Sequence, residues 1–214
     1  MKKAYIFDLD GTLVDSMTCG WVEMLTGFLK KRGIAYPPDL VKRVITFGVT
    51  GCAKYYREEF GVKEAEEEII GIFKETLRHK YEKEILAKPN VERALRALKE
   101  QSASLNVLTA SPHAFLDPCL KRLGLFDLFD NCWTIDDFGT TKSDPNIYRK
   151  AAERLGLKMN ECVMVDDSIA VICTAKSAGM PVIGVFDDFS ADMEKEMRTA
   201  ADGYIYDFLE LLKL

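Results

Sequence analysis

The sequence predicts an α/β fold, in which helices flank a parallel β-sheet, with a helical domain inserted into that core. Short apolar runs recur along the chain, and most of them precede a segment of helical periodicity, as in a parallel sheet whose strands are joined by helices. From Ser16 to about Ala87 this alternation is interrupted. No strand-like run occurs there, and apolar residues such as Trp21, Leu25 and Phe28 follow helical spacing.

The strands are assigned to apolar runs that are too short to form convincing helices. They comprise residues 4–7, 105–108, 132–135, 162–165, 182–186 and 204–206. Most of these runs end in polar residues, which is where the chemistry of such a sheet is expected.

Three helices between the strands have recognisable ends. Asn90 is expected to cap a helix whose apolar residues recur on one face. Asp144 and Pro145 supply an N-cap and a first helical residue, and Gly156 follows that helix where a left-handed residue is expected. A further helix is expected over residues 168–179, before a proline.

The chain length agrees with an insertion. The 214 residues amount to about one and a half domains of ~150 residues. The strand pattern starts before the helical block and resumes after it. We therefore predict a core formed by residues 1–16 and 88–214, and a helical domain over residues 17–87.

The composition argues against several classes of function. With 29 basic and 34 acidic residues, the net charge of -5 disfavours nucleic-acid partners. No apolar run approaches the ~20 residues needed to span a bilayer. The six cysteines lack the spacing of zinc ligands. We expect a cytoplasmic protein without nucleic-acid or membrane partners; its oligomeric state stays open, and a monomer is compatible with the sequence.

The residues at the strand ends suggest phosphoryl chemistry. The carboxyl ends of parallel strands meet at one edge, where the sequence places a set of polar side chains: Asp8, Asp10, Thr109, Ser111, Lys142, Asp166 and Asp167. Crowded carboxylates repel one another unless a divalent cation compensates, and oxygen ligands favour Mg²⁺. A metal, a lysine and a hydroxyl together would bind a dianionic phosphoryl group. One aspartate could then attack phosphorus, and a second one two residues away could protonate the leaving oxygen.

Four segments, in this order, resemble the four motifs of the haloacid-dehalogenase superfamily: D-L-D-G-T-L-V-D-S, V-L-T-A-S, T-K-S-D-P-N-I-Y and V-M-V-D-D-S. The resemblance covers essentially the whole chain. It implies a Rossmann-like parallel sheet core, and the helical block is similar to the cap domain that this family inserts after its first motif.

The resemblance also implies roles for individual residues. Asp8 would be the nucleophile that becomes an aspartyl phosphate, and it would also bind Mg²⁺. Asp10 would act as general acid and then general base, while its backbone carbonyl binds the metal. Thr109, the backbone N–H of Ala110 and Lys142 would bind the phosphoryl group.

The metal ligands implied in this way are Asp8, Asp10 and Asp167. Asp166 would bind the metal through a water molecule or would contact the metal ligands without binding the metal. Its exact role is open because the family often has glutamate at this position. His113, which follows the second motif, is expected to be an exposed loop residue.

The function predicted from these residues is that of a Mg²⁺-dependent phosphatase, a phosphoric monoester hydrolase acting on a small phosphorylated metabolite. Asp10 argues against hydrolytic dehalogenation, which lacks this second aspartate. A β-phosphoglucomutase-like phosphosugar mutase is an alternative, although that group has a histidine where this chain has Gly20. A non-catalytic or receiver-like phosphoacceptor module is another. The natural substrate stays open, with a sugar phosphate or phosphoglycolate as examples.

Overall fold

The computed structural model describes residues 4–214, so the first three residues of the predicted core lie outside the described part. The chain divides into two compact units. The α/β unit consists of the described residues up to Asp15 together with Leu86–Leu214, and the helical unit is Ser16–Ile85. Among the described residues, no helix is long and apolar enough to cross a membrane.

The α/β unit is built on a parallel sheet. Within residues 4–214 its strands are β1 Ala4–Phe7, β2 Ser104–Thr109, β3 Asn131–Thr134, β4 Cys162–Asp166, β5 Val182–Val185 and β6 Gly203–Ile205. Their order is β3-β2-β1-β4-β5-β6, and every neighbouring pair is parallel. This is the order of a doubly wound, Rossmann-like sheet. The predicted α/β fold class is confirmed, and each predicted strand end lies within one residue of the observed one.

The α-helices of the described residues are, in chain order, α1 Glu23–Lys30, α2 Leu40–Val44, α3 Gly48–Phe60, α4 Glu66–Lys83, α5 Val91–Glu100, α6 His113–Arg122, α7 Pro145–Leu155, α8 Ile169–Ser177 and α9 Glu194–Ala200. Shorter helical segments are the π-helix Met17–Val22 and the 3₁₀ helices Ile45–Phe47, Phe126–Leu128, Ile135–Phe138, Met159–Glu161, Asp188–Met193 and Phe208–Lys213. Helices α1 to α4 belong to the helical unit.

The central strand β1 is buried on both faces, as expected for a parallel sheet covered by helices. Its side chains alternate between two sides. Ile6 belongs to a hydrophobic core that includes Tyr148 of α7. Phe7 contacts the rings of Phe129 and Phe208 at 6.3 Å between centroids. These two layers hold β1, and therefore the residues that follow it, in a fixed position.

The helix ends confirm one predicted cap and contradict another. Asp144 caps α7, since its Oδ1 accepts the N–H of Asn146 at 2.9 Å, and Gly156 follows this helix with φ 66°. Asn90 stands at the N-cap position of α5 as predicted, but its side chain does not cap the helix: the residue has φ 61° and donates from Nδ2 to Asp207 Oδ2 at 2.6 Å. Its side chain is used by a tertiary contact instead.

The helical unit has its own aromatic core and, over Ser16–Ile85, contains no strand. Phe28 of α1, Tyr56 of α3 and Phe73 of α4 meet with ring centroids 5.1 to 5.8 Å apart. The helical periodicity found in the sequence thus corresponds to helices that pack on one another.

The segments of the α/β unit that lead to and from the helical unit run side by side. Asp15 N donates to Leu86 O and Lys88 N donates to Leu13 O, both at 3.0 Å. The Lys88 side chain then reaches the end of β5, where Nζ lies 2.7 Å from Asp187 Oδ2. Only 13% of the Lys88 side chain and 5% of that of Asp187 are exposed, so this ion pair is largely buried.

Candidate active site

The candidate active site lies at the carboxyl ends of β1 and β4. Strands β2 and β3 continue the sheet on one side of this pair, and β5 and β6 continue it on the other. In open α/β sheets, ligands bind outside the strand ends where the order reverses in this way. Asp8 follows β1, and its N–H donates to Val165 O of β4 at 3.0 Å. Asp8 is therefore held beside Asp166, the last residue of β4.

Lys142 joins these two aspartates. Its Nζ lies 2.6 Å from Asp166 Oδ2 and 3.0 Å from Asp8 Oδ1. The Tyr148 hydroxyl donates to the Lys142 carbonyl at 2.7 Å, which fixes the backbone just before α7. Burial lowers the pKa of Lys142, but the charges of Asp166 and Asp8 outweigh it, and the net shift is upward. Lys142 is therefore a permanent cation at the strand ends.

Asp166 is fully buried. Its Oδ2 accepts from Lys142, and its Oδ1 accepts the N–H of Ser168 at 2.9 Å. Burial raises the pKa of Asp166 to about 6; Lys142 acts in the opposite direction, and the charge of Asp8 raises the pKa further. The hydroxyl of Ser168, the residue before α8, makes no cap hydrogen bond to this helix.

Asp167 packs against the turn that follows β1. The Thr12 hydroxyl donates to Asp167 Oδ1 at 2.7 Å. Gly11 has φ 72°, and a Cβ at this position would lie 2.3 Å from Asp167 Oδ2. Burial raises the pKa of Asp167 well above its ordinary value, and the charges of Asp166 and Asp8 add to this shift. Close approach of a carboxylate to the backbone is the reason for glycine here.

The three carboxylates form a set that fits a metal ion. Asp8, Asp166 and Asp167 each offer an oxygen within 4.8 Å of the other two. Within residues 4–214 the buried Oδ1 atom of Asp8 has no hydrogen-bond partner; Lys142 Nζ lies 3.0 Å from it as an ion-pair partner. When all are ionised, three carboxylates against one ammonium leave two negative charges. Oxygen donors with this excess charge suit a divalent cation.

A second cluster lies at the end of β2. Thr109 is the last residue of this strand and is fully buried. The N–H of Ser111 donates to Thr109 Oγ1 at 3.1 Å, and the Ser111 hydroxyl donates to Asp10 Oδ2 at 2.6 Å. Ala110, between them, is exposed. The Asp10 side chain is thus hydrogen-bonded to the turn that follows β2, whereas the Asp8 side chain lies next to Lys142.

His113 is the first residue of α6, so the expectation of a loop residue was wrong, although its side chain is 46% exposed. Its Nδ1 lies 3.0 Å from Asp117 Oδ1 and its Nε2 lies 3.1 Å from Asp137 Oδ2. The hydrogen bond with Asp117 raises the pKa of His113; burial acts against it, and Asp137 adds to the increase.

The structure brings Asp8, Lys142 and Asp167 together, as the resemblance implies, and it adds Asp166 to the same cluster. Sequence reasoning assigned no role to three residues that hold this site: Thr12, Ser111 and Tyr148. All three stand inside the quoted motifs, which was a signal. The contact of Tyr148 with the Lys142 carbonyl was not assigned from its position on α7.

The fold and the site define a class of protein: a doubly wound α/β enzyme with buried carboxylates and one buried lysine at the strand ends. A sequence model of the haloacid dehalogenase-like hydrolases matches residues 2–179. The chain belongs to this family, and the family resemblance found in the motifs is confirmed.

Known relatives of this chain include named phosphatases. A Bacillus subtilis protein named "Putative phosphatase YhcW" is 33% identical over 86% of this chain and 83% of its own length. A phosphoglycolate phosphatase of Psychrobacter arcticus is 28% identical, covering 89% of this chain and 94% of its own. With the family, these relatives confirm the prediction of a phosphoric monoester hydrolase.

Solved structures share the whole architecture. A Thermotoga maritima protein described as a "putative beta-phosphoglucomutase" superposes with a TM-score of 0.81 at 27% identity, covering 100% of this chain and 99% of its own. The chain is thus similar over its full length to a solved structure that carries this description.

Proposed function

We propose that this protein is a Mg²⁺-dependent phosphatase that hydrolyses a small phosphorylated metabolite through an aspartyl phosphate on Asp8. The observation that carries this proposal is the buried Asp8 Oδ1 atom, which no hydrogen bond reaches within residues 4–214, next to Lys142 at the end of β1. An anionic oxygen that accepts no hydrogen bond, beside a cation that attracts a phosphoryl group, is suited to attack phosphorus.

In the first half-reaction a carboxylate oxygen of Asp8 forms a bond to phosphorus while the bond from phosphorus to the leaving oxygen breaks. Asp10 gives its proton to that oxygen. Lys142, the Thr109 hydroxyl and the Ala110 N–H hold the phosphoryl oxygens. Bound Mg²⁺, held by Asp8 and Asp167 with the Asp10 carbonyl and support from Asp166, would neutralise charge on the phosphoryl group.

In the second half-reaction water attacks the phosphorus of the aspartyl phosphate. Asp10, now a carboxylate, takes a proton from this water, and the bond between phosphorus and Asp8 breaks. Inorganic phosphate leaves, and both aspartates return to their starting states. One residue thus serves as acid and then as base, which a carboxyl group near the scissile bond can do.

The proposed substrate class follows from the relatives. Their names include phosphoglycolate phosphatase and, in Thermotoga maritima, phosphorylated carbohydrates phosphatase. We propose that the helical block, residues 17–87, is the cap domain that this family inserts. Phosphoglycolate and sugar phosphates are the first substrates to test.

A phosphosugar mutase is the second candidate, because the Thermotoga maritima structure described as a beta-phosphoglucomutase covers the full chain. Gly20, at the position of the mutase histidine, argues against it. This glycine is buried, and a Cβ there would lie 3.3 Å from Ile85 Cδ1. Isomerisation of β-glucose 1-phosphate with catalytic glucose 1,6-bisphosphate, at a rate above that of phosphate release, would favour the mutase.

Phosphate release from a panel of phosphorylated metabolites and p-nitrophenyl phosphate tests the proposal. We expect release with Mg²⁺, none with EDTA, and none from Asp8→Asn. Exposed Asp127 provides a matched control, since Asp127→Asn makes the same chemical change away from the site. No release by the wild-type protein from any substrate would favour a phosphoacceptor module. Substantial activity of Asp8→Asn would contradict the role of Asp8.

A further inference from the structure

We infer that Ser111 is a positioning residue for Asp10: its hydroxyl holds the general acid in the orientation that protonates the leaving group. This assignment rests on the proposed phosphatase activity and extends it to a residue that acts through Asp10. The observation behind it is the 2.6 Å hydrogen bond from Ser111 Oγ to Asp10 Oδ2, within the α/β unit.

The position of this bond follows from the sheet. Strands β1 and β2 are neighbours, with Phe7 paired to Val107 in register. The turns that follow these two strands therefore leave the sheet side by side, and Asp10 on one turn reaches Ser111 on the other. Ser111 is 4% exposed, so water competes little for its hydroxyl proton. A hydrogen bond to a carboxyl oxygen in such a place is stronger than one at the surface.

The single hydroxyl proton of Ser111 determines which Asp10 oxygen carries the transferable proton. Because that proton is donated to Oδ2, Oδ2 acts as an acceptor, and the acidic proton of Asp10 belongs on Oδ1. During phosphoryl transfer the electron pair of the breaking bond moves to the leaving oxygen, which takes the proton from Oδ1. Removing the Ser111 hydroxyl takes away the hydrogen bond that directs this proton at the leaving oxygen.

The backbone of Ser111 acts on the phosphate-binding hydroxyl as well. Its N–H donates to Thr109 Oγ1 at 3.1 Å, so this oxygen is an acceptor on the side of the turn. The hydroxyl proton of Thr109 then points elsewhere and is available to a phosphoryl oxygen. A substitution that removes only the Ser111 side chain keeps this backbone contact, which separates the two effects.

The test uses substrates of nearly equal shape whose leaving groups differ in basicity: p-nitrophenyl, phenyl and p-methoxyphenyl phosphate. A good leaving group such as p-nitrophenolate departs without a proton, whereas the more basic phenolates need general acid. For Ser111→Ala we expect kcat/KM to fall less than threefold with p-nitrophenyl phosphate and about 10- to 100-fold with p-methoxyphenyl phosphate. An equal loss for all three substrates would overturn the assignment.

Four further variants, including Asp10→Asn itself, complete the test. In an Asp10→Asn background, adding Ser111→Ala should not increase the dependence on leaving group; an added dependence there would also overturn the assignment. Ser111→Cys keeps the side-chain size but donates weakly, and it should show the same dependence, which provides the answer if Ser111→Ala does not fold. Ser177→Ala, an exposed serine at the end of α8, is the control for the chemical change. No phosphate release by the wild-type protein would contradict the phosphatase proposal itself.

Discussion

The substitution Gly11→Ala should displace Asp167, one of the three carboxylates of the site. The new Cβ would lie 2.3 Å from Asp167 Oδ2 and 2.7 Å from its Cγ. Ordinary contact begins at 3.4 Å, so the carboxylate must retreat by about 1 Å. A misplacement of this size in a catalytic site costs about 10²-fold in rate, and here it affects a proposed metal ligand.

The same substitution should lower the free energy of unfolding through two effects. A residue with a Cβ at φ 72° costs about 1–2 kcal/mol, and overpacking against Asp167 adds about 1–3 kcal/mol. Gly124 is the matched control, since it has φ 70° and a Cβ there would have nothing within 4 Å. Gly124→Ala should therefore show the backbone cost without the displacement.

Urea unfolding, kcat/KM with p-nitrophenyl phosphate, and the Mg²⁺ concentration that gives half-maximal activity measure these effects. We expect Gly11→Ala to lose about 2–5 kcal/mol of stability and about 100-fold in kcat/KM, and to need more Mg²⁺. Gly124→Ala should lose about 1–2 kcal/mol and keep wild-type activity. Equal behaviour of the two variants, or wild-type Mg²⁺ dependence in Gly11→Ala, would refute the reasoning.

Three other substitutions probe the charges of the α/β unit. Lys142→Met should lower the free energy of unfolding, measured with urea without Mg²⁺, by about 3–5 kcal/mol, because it leaves the buried carboxylates beside it uncompensated. The variant should also lose activity. Unchanged stability would contradict the buried ion pairs. Lys88→Met should lower the free energy of unfolding by about 3–5 kcal/mol, because it leaves the Asp187 carboxylate buried without its cation. A double-mutant cycle with Asp187→Asn should give a coupling energy above about 1 kcal/mol. Additive effects would show that the ion pair does not contribute to stability. The pKa of His113 is raised in the folded protein, so the stability it adds should be fully present below pH 6.5 and should disappear as pH rises through the raised pKa. The difference in unfolding free energy between wild type and His113→Gln should shrink at high pH. A difference that grows with pH would contradict a raised pKa for His113.

Local signals in the sequence were sufficient for the strands and for one helix cap. β1 and β4 are uninterrupted apolar runs because both their faces are buried, and such runs are visible without a structure. Asp144 caps α7 through a backbone N–H two residues away, so sequence spacing alone predicts it. Asn90 looked equivalent, but its side chain bonds to Asp207, a residue 117 positions later. Local spacing carries no information on that contact.

The candidate site also combines residues that local sequence signals predict with contacts that they do not. The motifs pointed to Asp8, Lys142 and Asp167, since each stands at a strand end or just before a helix. Spacing could not show that Ser111 would face Asp10, because that contact depends on which strand lies next to β1. The closeness of Asp167 to Gly11 also depends on strand order, as it needs β4 beside β1. Contacts across neighbouring strands require the fold before they can be assigned.

The measurement that tests the central proposal most directly is chemical trapping of the aspartyl phosphate. The enzyme is acid-quenched during turnover with Mg²⁺, reduced with borohydride, which converts a phosphorylated aspartate into homoserine, and digested for peptide mass spectrometry. The mechanism predicts homoserine at position 8, dependent on substrate and absent from Asp8→Asn. Homoserine at another aspartate, or rapid turnover with no modified peptide at any time of quenching, would contradict Asp8 as the nucleophile.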